Sequence, residues 1–159
     1  MLDTLYNAEQ LALIRTIFEL VFIEIASIST KSDKKIEIAY MNFINKSERL
    51  PYPLVKEILL NYNTDSVRHN AHNGKSAQAN LKSIVDLIDS KIDKNLVIDL
   101  KKTLIAFAYY ITSISGILFY HKFSNSEEDA LHNIGNILGI SVREIIRIGE
   151  LSKILAYIE

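Results

Sequence analysis

The chain has 159 residues, with 18 basic and 19 acidic side chains and a formal net charge of −1, so no overall field draws it to nucleic acid or anionic lipid. Apolar residues make up 48% and charged residues 23%, a globular composition of one-domain length, and only 5 Gly and 2 Pro interrupt it, which favours helices. Cysteine is absent, which excludes disulfides, thiolate metal sites and thiol nucleophiles and leaves His and carboxylates as the only strong metal ligands.

The opening MLDTLYNAEQ has no basic segment ahead of an apolar core and no small-residue cleavage site, so no secretory signal is expected and the cytoplasm is the expected compartment. From about Ala8 to Ser29, Leu11, Ile14, Ile17, Phe18, Val21, Phe22, Ile25 and Ile28 follow a helical repeat, with Arg15, Glu19 and Glu24 on the remaining face. The turn Thr30-Lys31-Ser32-Asp33 leads to a second helix, with Ile36, Ala39, Tyr40, Phe43 and Ile44 on its apolar side.

Leu50-Pro51-Tyr52-Pro53 breaks the chain, and Pro53 suits the first turn of a third helix running to about Tyr62. The polar stretch from Asn61 to Gly74 reads as the main loop. Leu81, Ile84, Val85 and Ile88 place a fourth helix, and a fifth opens at Asn95 or Asp99 and runs through Tyr120. Its run from Leu104 to Tyr120 carries no formal charge. At 17 residues, with Thr112, Ser113, Ser115 and Gly116 inside it, it reads as a buried core helix and not as a membrane span.

Ser124-Asn125-Ser126-Glu127 has the spacing of a capping box and starts a sixth helix, whose apolar face is Ala130, Leu131, Ile134, Ile137 and Leu138. Gly139 is placed to end it in the left-handed region, and Ser141-Val142-Arg143-Glu144 forms a second capping box. The seventh helix then carries Ile145, Ile148, Leu151, Leu155 and Ile158.

Setting each residue against the one 90 positions later aligns Ile14 with Leu104, Ile17 with Phe107, Val21 with Ile111, Glu37 with Glu127 and Ile44 with Ile134. The order of long apolar helix, polar turn, Glu-led short helix and next helix also recurs, which points to an internal duplication. The expected fold is therefore all-α, with about seven helices in two related units around two central apolar helices. One domain spans 1–159, with units at about 8–60 and 96–159 joined by the loop and helix 61–95.

This order, and the stretches Ile25 to Leu50 and Phe119 to Ile145, resemble the TerB-like domain of bacterial tellurite-resistance proteins. The resemblance implies an all-helical fold of two related units, a role in chemical stress and a cation site built on an Asp-Gly turn and a later Glu in each unit. Here Thr30-Lys31 and Tyr120-His121 stand at the Asp-Gly positions, and only Glu37 and Glu127 match the acids. Divalent magnesium or calcium needs several oxygen ligands, so the implied site is degenerate and holds a divalent cation weakly at best.

Each candidate also has a plainer explanation. Glu127 is accounted for as a capping-box acid beside the helix dipole, and Glu37 as a solvated acid next to Lys34 and Lys35. His69 and His72 have a spacing found in some metal sites but sit in a polar loop without evident further ligands. No serine falls in a nucleophile elbow and no glycine-rich phosphate loop follows a strand, so the chain is not expected to be an enzyme.

An alternative reading takes 130–150 as a helix-turn-helix that presents Arg143 and Arg147 to DNA. Two basic residues flanked by Glu144 and Glu150 are few for phosphate neutralisation, so a protein partner is favoured over nucleic acid. Any membrane association would then run through such partners.

Overall fold

Asn7 starts the first long element by a complete capping box. Its Oδ1 accepts the Gln10 N–H at 2.8 Å while its own N–H donates to Gln10 Oε1 at 3.1 Å. The computed structural model of the chain describes residues 1–27, 33–60, 77–112 and 125–159, and those residues form helices joined by short turns, with no strand among them. In chain order the helices are α1 (Leu2–Leu5), α2 (Ala8–Ile14), α3 (Ile17–Ala26), α4 (Asp33–Lys46), α5 (Pro53–Leu59), α6 (Ala77–Lys91), α7 (Lys94–Thr112), α8 (Asn125–Leu138), α9 (Val142–Arg147) and α10 (Glu150–Ile158). A short 3-10 turn, Ser47–Arg49, links α4 toward α5.

The helix count exceeds the expected seven for local reasons. Besides the short α1, the expected helix from Ala8 to Ser29 divides at Thr16, whose N–H and hydroxyl both turn back to the Leu13 carbonyl, at 3.0 and 2.6 Å. That tight i to i+3 closure ends α2, and α3 starts afresh at Ile17. The expected last helix divides at Gly149, which sits at φ +77°, so Ile148 leaves the buried stripe and is 50% exposed while Ile154 is buried.

Other expected boundaries hold. Pro53 opens α5, and Gly139 ends α8 at φ +77°. Ile140 N–H donates to the Gly135 carbonyl at 3.0 Å and Gly139 N–H to that of Asn136 at 3.2 Å, the paired closure that satisfies the last helical carbonyls. α7 begins slightly earlier than expected, because the Asp93 carboxylate accepts the Asn95 N–H at 2.9 Å.

At the centre α3 packs against α7. In α7 every residue from Thr103 to Ala108 is buried, and the hydroxyls of Thr103 and Thr112 are satisfied within the helix by the Asp99 and Tyr109 carbonyls. Phe107 sits in an aromatic cluster, its ring 5.3 Å from Phe18 of α3 and 5.0 and 5.5 Å from Phe43 and Tyr40 of α4.

α4 and α8 each touch both central helices. α6 covers α3 and α8, while α10 covers α7 and α4. The helix at 77–91, which the sequence reading treats as part of a connector, is thus a packed element of the core, burying Leu81, Ile84, Val85 and Ile88. α4 and α8 are both 14 residues long and begin at 33 and 125, and α5 and α9 begin at 53 and 142, close to the 90-residue spacing of the sequence match.

No helix among the described residues is long and apolar enough to cross a membrane. Within the uncharged run, Leu104 to Ala108, Ile111 and Thr112 are buried in α7, and 113–120 lies outside the described residues.

Candidate functional site

Of the residues singled out for cation binding, Thr30, Lys31, Tyr120 and His121 lie outside the described residues, as do His69, His72 and the Ser124–Glu127 capping box with the Glu127 side chain. Glu127 itself falls in the first turn of α8. Glu37 is on the exposed side of α4. Among the described residues, no group of three or more His, Asp or Glu side chains is placed to hold a metal ion.

Arg143 and Arg147 are both exposed on α9. Ser141 caps that helix by accepting the Glu144 N–H at 3.3 Å, but the reciprocal half of the expected capping box is replaced. The Glu144 carboxylate instead takes the Arg147 guanidinium in two bonds, Nη2 to Oε1 at 2.6 Å and Nε to Oε2 at 3.2 Å. Arg147 is therefore paired with Glu144 on the exposed surface. With six residues, α9 is about 9 Å long.

α9 buries Val142 and Ile145 and leaves Ile146 50% exposed. Ile146 forms a ridge between two open hollows. One, of 450 Å³, is walled by Tyr109, Leu151 and Leu155, and the other, of 220 Å³, by Tyr109, Leu131, His132 and Arg143. Ile146 is thus an exposed apolar side chain bordered by the charged residues Glu128 and Arg143.

A third feature was missed by sequence reasoning. Periodicity puts Glu19 on the outer face of its helix with Arg15 and Glu24, whereas Glu19 is only 2% exposed. The physical reason is α6, which packs across that side of α3 and turns an outer face into the wall of a groove. Glu24, nearer the helix end, stays at the edge and accepts a 2.6 Å bond from Gln78 Nε2 of α6. The available signal was local: in IFELVFIEIA the acid stands inside an almost unbroken apolar run, where no side of the helix is free to be polar.

The groove between α2, α3 and α6 encloses 520 Å³. Leu13, Leu20, Ile23, Ile84 and Leu87 give it apolar walls, and Glu9, Thr16, Glu19, Asn80 and Ser83 are its polar lining. Glu19 Oε1 is fully buried and has no hydrogen-bond partner among the described residues. Burial pushes the carboxyl up to about 7 from its ordinary 4.5, since the charged form is stripped of water without a compensating neighbour. Both hydroxyls in the lining have spent their protons on nearby backbone, Thr16 on the Leu13 carbonyl and Ser83 on the Ala79 carbonyl at 3.1 Å. They can only accept from anything that enters.

In comparisons with known proteins, no family model, no curated protein and no solved structure matches the chain.

Proposed function

We propose that the chain is a non-catalytic TerB-like module of a bacterial stress response, acting by holding a protein partner. The observation that carries this reading is the packing scheme, in which α3 and α7 form the centre, α4 and α8 lie on both, and α6 and α10 cover them in corresponding ways. That is the arrangement two related helical units would give, and it accords with the 90-residue sequence match and with the resemblance carried by Ile25 to Leu50 and Phe119 to Ile145.

The partner face is the α9 surface around Ile146, with Arg143 on its rim. A short helix whose second arginine is already paired favours contact with protein over the phosphate backbone of DNA. Glu37 and Glu127 keep at most a weak hold on a divalent cation, because the positions of the family's aspartates carry Thr30 and Tyr120.

In a bacterium that carries the chain, deletion should lower survival under potassium tellurite, and the wild-type chain should restore it. Ile146→Asp, a substitution at an exposed site, should leave the fold intact by circular dichroism and fail to restore survival. A deletion strain as resistant as its parent overturns the stress-response reading, and full rescue by Ile146→Asp overturns the assignment of the partner face.

A further inference from the structure

We infer that the groove between α2, α3 and α6 is a binding site for a small organic cation, a free alkylammonium whose charged head meets the Glu19 carboxylate and whose hydrocarbon body lies along Leu13, Leu20, Ile23 and Ile84. The inference is independent of the partner face on α9, since it uses another side of the molecule.

The argument begins with the unpaired oxygen. A buried carboxyl without a hydrogen-bond partner costs stability, and protein interiors rarely leave one in place without a compensating group. Here the residue borders a groove of the size that small ligands occupy, and because its Oε1 is buried, a rotation of the Glu19 side chain would have to turn that oxygen to meet a ligand there. What enters should supply donors.

The remaining polar lining selects the sign of the ligand. The hydroxyls of Thr16 and Ser83 offer only lone pairs, and Glu9 adds a second acid. Among the described residues no basic side chain lines the groove: Arg15, adjacent to Thr16 in sequence, is not part of the lining, and the lining residues of α6 are Asn80, Ser83, Ile84 and Leu87. An anion would meet two acids and two hydroxyls whose protons are already spent, against the Asn80 amide as the one donor side chain among the lining residues described, and a neutral apolar molecule would leave Glu19 as it is. An inorganic divalent ion is usually held by clustered carboxylates, and among the described residues no group of three or more His, Asp or Glu side chains is placed to hold one; such an ion would also gain nothing from the apolar walls. An ammonium head with three donors and a short alkyl body answers both the acceptors and the apolar surface.

The test uses n-butylammonium chloride with the whole chain at pH 8 and low salt, where Glu19 is mostly ionised and the amine is charged. Isothermal titration and thermal shift should show saturable binding, with 1-butanol and ammonium chloride each at least tenfold weaker. Glu19→Gln should weaken n-butylammonium at least tenfold. Ala12→Phe, an exposed groove residue whose larger side chain obstructs the mouth, should do the same with the fold unchanged, so the inference stays falsifiable if Glu19→Gln disturbs folding.

A lysine side chain presented by another protein has the same head chemistry, so Nα-acetyl-lysine methylamide is measured alongside and should bind more weakly than the free amine. Absence of saturable binding, equal binding of 1-butanol, unchanged affinity in folded Glu19→Gln or in Ala12→Phe, or tighter binding of the lysine derivative would each overturn the assignment.

Discussion

Glu19 shows how far a single residue departs from its position on a helical wheel. A carboxyl whose folded-state pKa is raised to about 7 contributes its full stability below the unfolded value near 4.5, and that contribution is lost as the pH rises through 7. Glutamine keeps the shape and does not titrate. Glu19→Gln should therefore gain on the wild type as the pH goes from 5 to 8, reaching on the order of 2 kcal/mol at the upper end. Urea titrations at several pH values check this, and a difference independent of pH would refute the burial argument. The apolar run around the residue hinted at its burial, but what buries it was not legible in the sequence, because a 3.6-residue period assumes one core side, and α6 covers the other side from more than fifty residues away.

Among the elements, helix existence was more legible than helix continuity. The apolar faces of α4, α6 and α8 lie where the spacing of Ile36, Tyr40 and Phe43, of Leu81, Ile84 and Ile88, and of Leu131, Ile134 and Leu138 put them. The breaks at Thr16 and Gly149 were not read, since a threonine in a helical run is common and a lone glycine is tolerated in one. The Asn7 to Gln10 capping box was visible as a motif and passed over. The junction of α8 and α9 offers a sharper test. A Cβ on Gly135 would stand 2.8 Å from Val142 Cγ2 and 3.0 Å from the Ile140 carbonyl oxygen, whereas one on Gly139 would meet nothing within 4 Å but would sit at φ +77°. Gly135→Ala should cost about 1–3 kcal/mol through crowding of a backbone oxygen, and Gly139→Ala about 1–2 kcal/mol through conformation alone. Equilibrium unfolding of both variants, with a crystal structure of the first showing α9 displaced, would separate the two causes; an undisplaced α9 would count against the steric account.

On the scale of the whole molecule, the all-helical class followed from few chain breakers and long 3.6-residue periods, and the repeat was suggested by residue matches at a fixed offset. The role of α6 was not, because its own sequence says only that one side is apolar and not which helices that side meets. The candidate groove was hidden for the same reason: it exists only once α6 is laid beside α2 and α3.

The exchange of covers between the halves sets how the chain can be divided. α6 lies on α8 as well as α3, and α10 lies on α4 as well as α7, so each half ends in a helix that shields part of the other. Cutting between Ile92 and Lys94 would leave two fragments with bare central helices, each lacking about half of its buried surroundings. Expressed alone, the segments 1–92 and 93–159 should be poorly helical and prone to aggregate. Refolded together from denaturant they should reassemble into one particle with the circular dichroism of the intact chain. Independent folding of either fragment would mean that the halves are neighbours and not mutual lids.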